Sequence, residues 1–151
     1  MSAFSYVTID EADAYITAEY PADDPAREMW DLCDESDKDI RLVSACGKLD
    51  SLPFIGAATD PGQELMWPRD GSNEVPAAVK QAQIEIALFY LRPGLRERQM
   101  RADLRAQGIK SFSLGDLSET YEDTVSGWIF LDDAKINSLL IRYIDGGYET
   151  C

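Results

Sequence analysis

Residues 76–91 place the strongest condition on the fold, because a helix over this stretch is apolar on more than one face. Pro76 is a favoured first-turn residue. Val79, Ala82, Ile86 and Tyr90 recur along one stripe, and Ile84, Leu88 and Leu91 along another nearly opposite. A helix apolar on most sides has to be enclosed by other elements, so this one belongs at the centre of a bundle.

The flanking sequence supplies the enclosing helices. Thr8 with Glu11 is a capping box, and Ile9, Ala12, Ile16 and Tyr20 follow at helical spacing. Pro21 and Pro25 are expected to stop that helix and open an acidic loop, Ala22 to Glu35, with Trp30 anchored on the core rather than stacked on a ligand. A second helix is expected from Ser36 to Pro53, where Asp37 and Asp39 suit the positive end of the helix dipole and Gly47 marks close approach of a neighbour. Residues 53–75 form a long connection with turns at Asp60-Pro61-Gly62 and Arg69-Asp70-Gly71. Phe54, Ile55, Leu65, Met66 and Trp67 make it a packed loop, because a solvated one would not carry them.

Beyond Arg92-Pro93-Gly94, Leu95 to Gln107 reads as a basic helix. Ile109 to Tyr121 alternates about Gly115-Asp116 as a β-hairpin that needs a partner surface, and 122–128 is a connector. Leu131 to Ile144 reads as the last helix. The expected fold is mainly α, a small helical bundle with a long packed loop and a protruding β-hairpin. It forms one domain over 1–151, with a helical core at about 8–107 and 130–145 and the hairpin extension at about 109–121.

Chemistry is narrowed by what is missing. The 151 residues contain no histidine, which removes His-based nucleophile systems and His-containing metal sites. Cys33, Cys46 and Cys151 lack C-x-x-C spacing and read as reduced thiols, too few for a zinc site. Asp23-Asp24, Glu122-Asp123 and Asp132-Asp133 are adjacent carboxylates whose side chains point apart, and no Gly-rich phosphate loop or EF-hand pattern occurs. No catalytic residue, metal or cofactor is expected. The longest apolar run, Ile86–Leu91, is too short to span a membrane, and no export signal is read at the N-terminus, so the expectation is a soluble protein made in a cytoplasm.

The net charge of −14 works against nucleic-acid affinity, yet it is uneven. Residues 1–40 carry −10, 41–75 carry −2, 76–110 carry +4 and 111–151 carry −6. Such polarity favours head-to-tail contact between copies, or both ends are solvated faces. Arg96, Arg98, Arg101 and Arg105 read as an intersubunit or partner contact, against a solvated face. Arg69 is either a donor that holds the long loop or a partner contact.

The order Tyr6-Val-Thr-Ile-Asp-Glu-Ala-Asp-Ala-Tyr15, Trp30, Leu52-Pro-Phe-Ile-Gly56, Gln63-Glu-Leu-Met-Trp-Pro-Arg69 and Val75-Pro76 resembles a family of tailed-phage head–tail connector, or adaptor, proteins. Its members often carry the label of DnaT-like single-stranded-DNA-binding proteins. The resemblance implies a structural, non-enzymatic subunit of a phage neck, assembled in the host cytoplasm and located in the virion. It implies a homo-oligomeric ring, commonly of twelve copies, between portal protein and tail proteins, with DNA as transiting cargo. On that reading Arg96, Arg98, Arg101, Arg105, Lys110, Phe112, Leu114, Leu117 and Tyr121 form the partner interface, while Phe54, Trp67 and Arg69 anchor the loop. The alternative is a DnaT-like single-stranded-DNA-binding replication accessory. Against it stands the lack of a positive groove interleaved with stacking aromatics.

Overall fold

The computed structural model describes residues 4–92 and 129–144. These residues are mainly helical. They form α1 (Ile9–Glu19), α2 (Pro25–Leu32), α3 (Glu35–Asp50), α4 (Ala77–Phe89) and α5 (Ala134–Leu140), with 3₁₀ turns at Ile129–Asp132 and Ile141–Tyr143. Extended pairing among the described residues is confined to two isolated antiparallel bridges, Phe54 with Ile144 and Ala58 with Arg69. The basic helix expected at 95–107 and the hairpin expected at 109–121 lie outside the described residues.

The all-round apolar character of residues 76–91 is expressed as burial. Every residue from Ala82 to Phe89 is buried, and α4 packs against α2, α3 and α5. Two polar side chains inside this run are satisfied by distant partners, as a dry interior requires. Gln83 accepts from the backbone N–H of Tyr6 at 3.0 Å and donates to Ser5 Oγ and to the Leu42 carbonyl, both at 2.8 Å. One amide thereby joins the N-terminal segment, α3 and α4. Glu85 is the other, described below.

The N-termini of α1, α2, α3 and α5 are fixed by side-chain caps, while Pro76 supplies none to α4. Thr8 Oγ1 accepts from Glu11 N at 3.0 Å, and the Glu11 carboxylate accepts from Thr8 N at 2.9 Å, completing the capping box of α1. The acidic loop expected from Ala22 to Glu35 is instead largely α2. Asp24 caps it by accepting from Ala26 N and Arg27 N, and Pro25 occupies the first helical turn, where its missing N–H and fixed φ cost nothing. Trp30, on the buried face of α2, is 1% exposed. Asp34 caps α3, which starts at Glu35, one residue before the Ser36 start expected from sequence.

Gly47 corrects a second expectation. It is exposed on α3, and a Cβ placed there would meet nothing within 4 Å, so no neighbour among the described residues approaches it. The single closing helix expected from Leu131 to Ile144 is divided. Asp133 accepts from Lys135 N and Ile136 N and so starts α5 there. Past Leu140 the chain tightens into a 3₁₀ turn and then extends. Ile55 N donates to the Tyr143 carbonyl at 2.8 Å, and Ile144 pairs with Phe54.

The connection at 53–75 folds back on itself and is pinned to the core. Asp70 N donates to the Ala57 carbonyl at 2.8 Å and Thr59 N to the Pro68 carbonyl at 3.0 Å. The turn at its end uses Asp70 at φ 56° and Gly71 at φ 81°, the left-handed region that Asp and Gly tolerate best. Gly56, at φ 87°, lies so close to the Asp70 carboxylate that an added Cβ would overlap it. The Trp67-Pro68 peptide bond is cis. Among the described residues no helix is long and apolar enough to cross a membrane.

Candidate nucleic-acid interface

The loop anchors Phe54, Trp67 and Arg69 meet in one structural unit. Arg69, 7% exposed, donates from Nε to the Ile55 carbonyl at 3.1 Å and from Nη1 to the Met66 carbonyl at 3.0 Å. Its Nη2 donates to the carbonyls of Gly56 and Phe54. The Trp67 ring meets Phe54 edge-on at 5.2 Å and Tyr143 at 5.4 Å. Here a guanidinium is used for its rigid fork of donors, and it is turned inward. Arg96, Arg98, Arg101, Arg105, Lys110, Phe112, Leu114, Leu117 and Tyr121 lie outside the described residues.

Two buried polar clusters also face inward. The Tyr6 hydroxyl donates to Asp50 Oδ1 at 2.6 Å and accepts from Trp67 N at 3.1 Å, while Asp50 Oδ2 accepts from Met66 N at 3.1 Å. Burial pushes the pKa of both side chains up. The adjacent Cys46 thiol is pushed up to about 12, by burial first and by the Asp50 charge second, so it stays protonated and unreactive at neutral pH.

Glu85, 4% exposed, accepts from the hydroxyls of Tyr15 and Tyr20, each at 2.6 Å, and lies 3.2 Å from Lys135 Nζ. Burial followed by the Glu85 hydrogen bond raises Tyr15 and lifts Tyr20 to about 12. Burial works against the Lys135 ammonium, but hydrogen bonds to Glu19 and Tyr20 and the Glu85 charge hold it above the usual lysine range. This cluster fastens α5 to α1 and α4. Every group in it has a partner, so it offers no open position to a ligand. Among the described residues no group of three or more His, Cys, Asp or Glu side chains could hold a metal ion.

A different arrangement occurs on the outer side of α3. Most described cations are neutralised: Arg27 by Asp31, Lys38 by Asp13, Lys80 by Glu11, Arg92 by Asp24, and Lys135 by Glu19 and Glu85. Arg69 is caged by carbonyls. Arg41, Lys48 and Arg142 have no carboxylate at ion-pair distance among the described residues. Arg41, Ser44 and Lys48 stand at i, i+3 and i+7, which is one stripe of a helix.

That stripe borders a groove of about 240 Å³ between α3 and α4, lined by Asp37, Ile40, Arg41, Ser44 and Ala45 on one side and by Ala87 and Tyr90 on the other. Lys48 Nζ donates to Ser44 Oγ at 3.0 Å and stands 4.9 Å from the centroid of the Tyr90 ring. Ile40 is exposed at the edge. Arg41 Nε is buried and has no hydrogen-bond acceptor among the described residues, an omission that costs on the order of 1–3 kcal/mol. Cations, an aromatic ring and an apolar wall in one open groove are the elements that single-strand recognition uses.

The sequence reading passed over this site. Arg41 and Lys48 fall in a segment of net −2 just after one of net −10, and segment sums hide a stripe. The i, i+3, i+7 spacing on α3 was the available signal. Its pairing with Tyr90 was not, since that depends on how α3 packs on α4.

A family model described as "Putative DnaT-like ssDNA binding protein" matches residues 1–150, and the chain belongs to that family. No curated protein and no solved structure matches the chain. The family match overturns the neck-adaptor expectation. The matching family is described by single-strand binding and not as a connector, a ring or a portal partner, and it corresponds to the alternative of the sequence reading.

Proposed function

We propose that this chain, as a member of that family, is a non-enzymatic accessory protein that binds single-stranded DNA. The observation that carries the reading is the family match across 1–150. The α3–α4 groove supports it, because Arg41 and Lys48 are cations with no carboxylate at ion-pair distance among the described residues, beside an aromatic ring.

The charge of −14 does not exclude such binding; it limits it. At physiological ionic strength charges are screened over ~8 Å, so a strand in the groove feels the nearby cations more than the distant carboxylates. Affinity is therefore expected to be modest and easily lost to salt. The sequence adds cations in the stretch after Tyr90, where residues 76–110 carry +4. Arg96, Arg98, Arg101 and Arg105 are proposed as further contacts to the strand.

The test is fluorescence anisotropy of a labelled oligothymidylate with the full chain at low salt, followed by competition. Unlabelled single strand should displace the probe, whereas a duplex of equal length should not, since its bases are stacked and cannot enter a groove. Absence of association, or equal competition by duplex, would contradict the reading.

A further inference from the structure

Resting on the single-strand reading, we propose that the groove between α3 and α4 is where the strand is held. One nucleotide sits in it, with Arg41 and Lys48 on the flanking phosphates and the base against Ala45, Ala87 and Tyr90.

Three observations converge on this site. First, its volume of about 240 Å³ exceeds the ~150 Å³ that holds benzene and falls below the ~300 Å³ at which sites for drug-sized ligands begin. A single nucleobase is of that scale. Second, Arg41 and Lys48 are seven residues apart on α3, about 10 Å along the axis, so they reach successive positions on a strand rather than one phosphate. Neither is held by a carboxylate among the described residues. Third, Arg41 lines the groove with a guanidinium that no acceptor holds through Nε among the described residues, which suits it to a phosphate.

Among the described residues Asp37 is the one carboxylate lining the groove, a turn before Arg41. It opposes the phosphates, and so it gives the proposal a test of opposite sign. A site of merely structural importance would not bind DNA more tightly when Asp37 is neutralised.

The experiment measures association of the full chain with an oligothymidylate across a salt series, for the wild type, Arg41→Gln with Lys48→Gln together, Asp37→Asn, and Lys80→Gln as a control whose cation is paired with Glu11. Each phosphate contact to a single strand contributes ~0.7 to the salt slope, so losing two should lower its magnitude by ~1.4 and weaken binding about 25-fold at ~0.1 M salt. Asp37→Asn should tighten binding by up to about fivefold on the same arithmetic. Lys80→Gln should leave it within about twofold, because Glu11 already neutralises that cation and Lys80 does not line the groove. If the wild type binds and the double variant binds equally with an unchanged slope, the groove is overturned while the single-strand reading stands. If the wild type does not bind, both fall.

Discussion

The Tyr6 hydroxyl donates a 2.6 Å hydrogen bond to Asp50, forty-four residues away, and the same oxygen accepts from Trp67 N. One phenol thus ties the N-terminal segment to the end of α3 and to the long loop. Replacing it by Tyr6→Phe leaves a half-buried carboxylate with one donor fewer and the Trp67 amide without an acceptor. The expected loss is about 1–3 kcal/mol, read by urea denaturation.

Asp50 itself carries a pH signature. Burial raises its folded pKa above the ordinary aspartate value, so the folded chain holds that proton more tightly than the unfolded one. Its contribution to stability is therefore fully present below the unfolded value of ~3.9 and is lost as pH rises through the raised folded value. Comparing unfolding free energies of wild type and Asp50→Asn from pH 4 upward, near that ~3.9, should show the slope shrinking in the variant. An unchanged slope would assign it to other groups.

Arg69 tests whether the long loop depends on a fork of donors. Lysine at this position keeps the charge but supplies a single ammonium in place of the Nε, Nη1 and Nη2 set that reaches Ile55, Met66, Gly56 and Phe54. Arg69→Lys should cost on the order of 2 kcal/mol, and limited proteolysis should then cut between residues 56 and 72 sooner than in the wild type.

At high pH the phenols of Tyr6, Tyr15 and Tyr20, all raised by burial first, should together limit stability. Tyr20 moves from 10.0 to about 12 on folding, and Tyr15 is raised as well. Stability from these phenols is intact below pH 10 and is lost as pH climbs toward 12. Tyrosinate absorbance and helical circular dichroism should therefore change together in that range. Tyr20→Phe should make the loss of helical signal less steep in that range, since one of the coupled phenols is gone.

Gly47 offers a gain. Its position on α3 is helical, exposed and open to a Cβ, so Gly47→Ala should stabilise the fold by about 0.5–1 kcal/mol through helix propensity. Thermal unfolding measures it, and a loss of stability would reveal a contact at this face.

Legibility in the sequence followed locality. The Thr8–Glu11 box and the all-round apolar helix at 76–91 are short-range patterns, and both are expressed in α1 and α4. Pro25 reads as a stop by itself, but a proline directly after a capping aspartate opens a helix, as Asp24-Pro25 does for α2. Gly47 was misread because a glycine within an apolar pattern does not reveal which face it occupies. Gln83 and Glu85 sit in an apolar helix with partners some forty to eighty residues distant, and no local pattern names those partners. The groove was hidden for the same reason, since Tyr90 joins Arg41 and Lys48 only through helix packing. The connector expectation took the basic segment as a protein contact and weighed the overall negative charge against DNA. The family match reverses that weighing.

The central claim is that this acidic chain grips single-stranded DNA through a local set of cations, and a salt titration of its association constant addresses that most directly. The account predicts a straight fall of log K with log salt whose slope is about 1.4 or more in magnitude, the value for two phosphate contacts. No association at the lowest salt, or an affinity indifferent to salt, would contradict it.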